Sequence, residues 1–239
     1  MSLPPTQSFV RNRLLAALSA ADYQLIAPHL EPVVLAKDMV LGEENKPLDY
    51  AYFPDRGLGS VVATVPHLHR VEVNIFGREG MTSPSLVLGV HAAPITTFIQ
   101  IAGDGYRMAA GALAEAIATS RSLQTVLLRY VQTVMTQASF TSLSNATLSI
   151  EERLARWLLM TQDRIESDDL PLTHEFLSIM LAVRRPSVTS AIHVLEGNHL
   201  IRSRRSLFTV LDRDGLIAFS GGSYGQAEAE YSQLFGEFR

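Results

Sequence analysis

Between residues 173 and 206 the chain gathers side chains suited to one kind of chemistry. Arg184, Arg185, Ser187 and Ser190 fall on the outer face at the start of a predicted helix. Arg202, Arg204, Arg205 and Ser206 follow on a predicted hairpin, and Thr173 and His174 open the helix before. A guanidinium presents a fixed fork of donors that matches guanine O6 and N7, or two phosphate oxygens. The helix group is therefore placed to read base edges. The hairpin group, with Thr173 and His174, is placed to hold phosphates, contacts that position a protein without specifying sequence. From residue 174 to 206 only Glu175 and Glu196 oppose these arginines.

Other constellations are weaker. His67 and His69 share one side of a strand with Glu72 nearby, a spacing a metal could use, but a hairpin turn with incidental histidines explains it as well. Gly77-Arg78-Glu79-Gly80 lacks the Gly-Lys-Ser/Thr end of a phosphate loop. There is no Gly-x-Ser-x-Gly elbow and no His-Glu-x-x-His pair, so the sequence suggests neither a catalytic residue nor a metal site or cofactor.

The basic side chains need elements to hold them. Thr173 is a good N-cap, and Phe176, Leu177, Met180 and Leu181 give the first helix an apolar face. Ala182-Val183 makes the turn. Pro186 is tolerated in the opening turn of the second helix, where N–H groups lack helical partners. Val188, Ala191, Ile192 and Leu195 face inward, and Gly197-Asn198 stops the helix. Two short strands then flank the turn Ser203-Arg204-Arg205-Ser206. Upstream, Ser149 and Glu152 form a capping box before a helix carrying Trp157.

Residues 109–145 have helical periodicity. Leu123, Leu127, Tyr130, Val134, Gln137 and Thr141 lie on one face; Leu128, Val131, Met135 and Ala138 form a second stripe beside it. One stripe can serve the core of its own domain. Two stripes suggest that the helix also packs on a symmetry mate, with the first stripe as the dimer seam. Before it, residues 33–108 hold short β-branched and aromatic runs (VVLAKDMVL, YAYF, LGSVVATV, RVEVNIF, TTFIQIA) separated by Gly, Pro, Asn or Asp, the pattern of a sandwich or barrel. Ser19 with Asp22 begins a short helix ahead of them.

The 239 residues suit one large or two modest domains, and 47% hydrophobic with 18% charged residues is an ordinary globular composition. With no cysteine, disulfides and thiolate-held metals are excluded. The start lacks a signal-peptide pattern, and no apolar run reaches about 18 residues, so a cytoplasmic protein without a membrane partner is expected. A net charge of −4 opposes polyanion binding as a total, but the acids gather elsewhere, at residues 166–169 and in the C-terminal tail. Arginines number 18 against two lysines, which genomic base composition explains as readily as function.

In this order the chain resembles the Crp/Fnr family of bacterial transcription regulators over nearly its full length. The stretch LTHEFLSIMLAVRRPSVTSAIHVLEGNHLIRSRRSLFTVLDRDGL carries the resemblance most closely. It implies an α+β chain: a cyclic-nucleotide-binding-like double-stranded β-roll in residues 1–118, a long dimerisation helix in 119–146, and a winged helix-turn-helix in 147–239. It also implies that Arg185 occupies the base-reading arginine position. Pro186 and Ser190 depart from familiar members, so an operator sequence does not carry over.

The family's nucleotide cassette needs a carboxylate for the ribose and an arginine for the phosphate. Its counterpart here is residues 76–98, where neither type occurs after Met81. A phosphate buried without a cation is costly. Cyclic AMP or GMP is therefore not expected, and Arg78, Glu79, Ser83 and Ser85 mark the candidate pocket for an effector of unknown identity. The resulting expectation is a homodimeric regulator of double-stranded DNA, reading an inverted-repeat operator, with RNA polymerase as a further partner. The alternatives are a sensor of some other small molecule, an enzyme with a site in the β-rich domain, and a protein-interaction module on a DNA-binding fold.

Overall fold

The structure, a computed structural model, describes residues 5–65 and 69–238. Asn12 caps the short helix α1 (Arg13–Ala16) and Ser19 caps α2 (Ala20–Ile26). The Asn12 amide also donates to Pro54 O at 2.8 Å and Gly80 O at 2.7 Å, tying the N-terminal segment to the strands behind it.

Those strands are β1 (Glu31–Leu35), β2 (Val40–Gly42), β3 (Tyr50–Pro54), β4 (Leu58–Val65), β5 (His69–Phe76), β6 (Thr96–Ile101) and β7 (Gly103–Ala109). They form two antiparallel sheets, ordered β1-β7-β3 and β2-β6-β4-β5. The run VVLAKDMVL is divided between them, because Asp38 adopts a left-handed φ of 65° and turns the chain from one sheet into the other. Gly103 and Gly105, which read as punctuation, lie inside β7, the middle strand of its sheet. A Cβ on Gly105 would stand 2.3 Å from Phe53 O, so only glycine lets these backbones approach.

Ser120 is extended and separates α3 (Ala110–Thr119) from α4 (Arg121–Thr147); its hydroxyl accepts from Leu123 N. Along α4 the first stripe faces inward, and the second is divided, with Val131 buried and Ala138 half-buried. Leu123, Leu127, Tyr130 and Gln137 are buried within the protomer, and Val134 and Thr141 are half-buried. Tyr130 donates to Met81 O at 2.8 Å and Gln137 to Ile75 O at 2.8 Å, both on the β-roll. The stripe read as a dimer seam is thus committed to its own β-roll, whose apolar face it closes. The second stripe leaves Leu128 and Met135 exposed.

The remaining elements are α5 (Ile150–Ile165), β8 (Asp169–Leu170), α6 (His174–Met180), α7 (Arg185–Gly197), β9 (Ile201–Arg204), β10 (Leu207–Val210), α8 (Arg213–Phe219) and α9 (Gln226–Phe235). Ser149 and Glu152 complete the capping box of α5. The strands make a small sheet ordered β8-β10-β9. One apolar cluster crosses from this unit to the β-roll, joining Leu158, Leu177 and Met180 to Leu58, Val62 and Ile75. Each such side chain contributes about 1.5–3 kcal/mol when fully buried. Helix α9 returns to α4, and Tyr231 donates to Glu79 O at 2.7 Å.

Candidate nucleic-acid interface

Helices α6 and α7 are joined by a turn in which Ala182 takes a left-handed φ of 52° and Val183 N donates to Ser178 O at 3.0 Å. Thr173 caps α6 by accepting from Phe176 N at 3.2 Å, and Arg153 of α5 donates to Leu181 O at the far end. Leu177, Val188, Ala191, Ile192 and Leu195 are buried between the helices, as their spacing requires. This packing fixes which face of α7 looks outward.

Arg184 is the N-cap residue, extended at φ −71° and ψ 148°, and Arg185 is the first helical residue. Both are exposed, as is Ser190, while Ser187 is half-buried. The Arg185 guanidinium is held by Glu175 of α6 at 2.8 Å, an open pair with side chains 60% and 69% accessible. Such a pair contributes little and leaves the arginine free to exchange partners. Thr189, one turn beyond Arg185, donates to Arg185 O at 3.2 Å and meets His174 Nδ1 at 3.4 Å. It was not singled out from the sequence, although its i+4 spacing from Arg185 could have found it. His174 lies against Phe208, ring centroids 5.9 Å apart, so its imidazole is partly engaged in packing.

The hairpin is tighter than the sequence suggests. Arg204 pairs with Leu207 as the last residue of β9, leaving Arg205 and Ser206 as the turn, with Ser206 at φ 59°. Arg202, Arg204, Arg205 and Ser206 are all exposed. Glu196, one of the two acids of the segment, is occupied by Ser203 N at 2.6 Å.

Two of the four residues assigned to the effector pocket lie elsewhere. Glu79 forms a buried ion pair with Arg164 of α5 at 2.8 Å. Arg78 is buried beside Glu166, at 2.6 Å. Both are drawn out of the β-roll interior by charges on the helix-turn-helix unit. Ser83 and Ser85 do line a cavity of about 210 Å³ between the β-roll and α4, with Val61, Phe76, Ile95 and Val134 among its apolar walls. Gly80 lies beside it, where a Cβ would stand 2.1 Å from the Tyr130 ring.

Glu72 is buried on β5, accepts from Trp157 Nε1, and has its pKa raised to about 8 by burial, against the lowering effect of Ser60 and Trp157. His67 lies outside the described residues. Among the described residues, no cluster of three His, Asp or Glu could hold a metal ion, and no helix is long and apolar enough to cross a membrane.

Residues 152–219 match the family of Crp-like helix-turn-helix domains. Similar solved structures include the CRP/FNR-family transcriptional regulator TTHA1359 from Thermus thermophilus, 19% identical, covering 80% of this chain and 98% of that one, with a TM-score of 0.67. FixK2 from Bradyrhizobium japonicum is 14% identical over 80% of this chain and 96% of its own, TM-score 0.67. The c-di-GMP-responsive global regulator CLP of Xanthomonas campestris is 13% identical over 80% and 99%, TM-score 0.65. No curated protein matches the chain in sequence. The architecture is that of the Crp/Fnr transcription regulators: a β-roll, a long helix and a winged helix-turn-helix.

Proposed function

We propose that this chain is a homodimeric, sequence-specific DNA-binding transcription regulator that reads an inverted repeat in double-stranded DNA. The observation that carries the proposal is the Crp-like helix-turn-helix, whose Arg184, Arg185, Arg202, Arg204 and Arg205 are all exposed on the second helix and its wing. In this reading Arg184, Arg185, Ser187 and Ser190 face base edges. The wing residues, with Thr173 at the start of α6, hold phosphates.

Dimerisation follows from α4. Leu128, Met135 and Ser142 recur every seven residues on its exposed face, the repeat of a parallel coiled coil. Leu128 and Met135 are 42% and 60% exposed, apolar surface that a partner helix would cover. A cytoplasmic location and contact with RNA polymerase belong to the same proposal.

The test is selection of bound duplexes from a random pool, followed by titration of the selected and a scrambled duplex across a salt series. The expected result is an inverted repeat with half-sites about one helical turn apart, bound at least about 10³-fold more tightly than the scramble. Equal affinity for both duplexes would remove the sequence-specific reading.

A further inference from the structure

The cavity between the β-roll and α4 has no charged residue in its wall. Its lining is mainly aliphatic and aromatic, from Leu48, Val73, Phe76, Ile95 and Val134, with hydroxyls from Ser83, Ser85 and Thr97, of which Ser83 and Thr97 both approach Gly42. Those three hydroxyls make no hydrogen bond among the described residues. Asn74 is already committed, donating to Val134 O at 3.3 Å and accepting from Ile75 N at 3.1 Å. Tyr130 is likewise engaged with Met81 O. The polar groups left for an occupant are thus a few neutral hydroxyls beside an apolar chamber.

We infer that this cavity binds a neutral, mainly apolar small molecule with one hydrogen-bonding end. Its volume of about 210 Å³ compares with about 150 Å³ for an engineered apolar cavity that takes benzene, which suggests roughly eight to ten non-hydrogen atoms. A cyclic nucleotide is more than twice that size and brings a phosphate that the wall has no cation to meet. A fatty-acid-like anion would fit by size but would lose its hydration without a charged partner.

The same segment connects the chamber to the DNA-binding unit. Met81–Ser85 form part of the cavity wall, while the adjoining Arg78 and Glu79 hold Glu166 and Arg164 at the C-terminal end of α5. An occupant that shifts the wall therefore acts on both ion pairs. Binding itself needs only the cavity; the occupant's role as an effector rests on the DNA-binding proposal above.

The experiment uses 1-octanol and octanoate, a neutral and an anionic probe of nearly equal size, on the full chain without DNA. Octanol at a hundredfold excess over its Kd is expected to raise Tm saturably by roughly 5–10 °C, while octanoate and cyclic AMP leave it unchanged. Ala93→Phe, which fills the chamber from a half-buried loop position, and independently Ala138→Leu from α4, should abolish the octanol shift while keeping a cooperative melt. An equal response to octanoate, no saturable response to octanol, or a shift that survives both filled variants would overturn the inference. Affinity for the selected duplex is then measured with and without octanol. Loss of DNA binding in both conditions would count against the regulator proposal and leave the Tm result standing. An octanol shift that leaves DNA affinity unaltered would overturn the effector role.

Discussion

Arg164 and Glu79 meet at 2.8 Å with side chains only 2% and 6% accessible, joining the helix-turn-helix unit to the turn after β5. Arg164 also donates to Met160 O at 2.9 Å and to Gln137 on α4, so one guanidinium ties together α5, α4 and the β-roll. Removing one partner of a buried pair leaves a charge without its bonded counter-ion in a site closed to water. Glu79→Ala should therefore destabilise the protein by about 3–5 kcal/mol. The double change Glu79→Leu with Arg164→Met removes both charges and should recover most of that loss. Denaturant melts of the single and double variants measure the difference. A double variant no more stable than Glu79→Ala would show that the pair is not the source of the cost.

Glu72 gives the domain contact a pH dependence. Its folded pKa, raised to about 8 by burial, exceeds the ordinary carboxylate value, so between these limits the folded state binds a proton that the unfolded state has released. Its contribution is full below the unfolded pKa and is lost as pH rises towards 8. Wild-type stability should fall over that range by the order of a few kcal/mol. Glu72→Gln keeps an acceptor for Trp157 and removes the titration, so its profile should be flatter. Thermal melts from pH 5 to 8 make the comparison; parallel wild-type and variant profiles would rule Glu72 out as the titrating group.

The proposed dimer surface sets the two stripes of α4 apart. Tyr130 is buried within the protomer and bonded to Met81 O, whereas Met135 is 60% exposed. Met135→Asp should leave the melt of the protomer little changed and shift sedimentation at micromolar concentration from dimer to monomer. Tyr130→Asp should lower Tm instead, because it buries an unpaired charge under the β-roll. If Tyr130→Asp gave a stable monomer while Met135→Asp stayed dimeric, the first stripe would be the seam after all.

This contrast marks what could be read from sequence. Periodicity found both stripes of α4, since Leu123, Leu127 and Tyr130 recur as helical neighbours. It could not say which stripe meets the β-roll, because that depends on strands distant in sequence. Local chemistry was more legible: Thr173, Ser149 and Ser19 cap their helices as their side chains require. The helix-turn-helix was readable for the same reason, its helices being adjacent in sequence. Arg78 and Glu79 were misplaced because their partners Glu166 and Arg164 lie more than eighty residues away. The cavity left no sequence signal beyond the absence of charge after Met81.

The two arginine groups should differ in what their loss does to DNA binding. Arg185 opens α7 and is held in the free protein only by the exposed carboxylate of Glu175. A base edge with two acceptors competes well with such a pair. Arg185→Ala should cost about 1–3 kcal/mol on the selected duplex, relax discrimination at one base pair in each half-site, and change the scrambled duplex little. Arg204 ends β9 on the exposed wing, where a phosphate is its natural partner. Arg204→Ala should weaken both duplexes alike, and each lost phosphate contact should lower the slope of log K against log salt by about one. Two wings engage in a dimer, so the expected loss of slope is about two. Glu175→Ala provides the control, since it frees Arg185 and removes a nearby negative charge. Affinity for the selected duplex should rise modestly, with discrimination kept. If Arg185→Ala weakened both duplexes equally and Arg204→Ala only the selected one, the wing would read the bases and α7 the backbone.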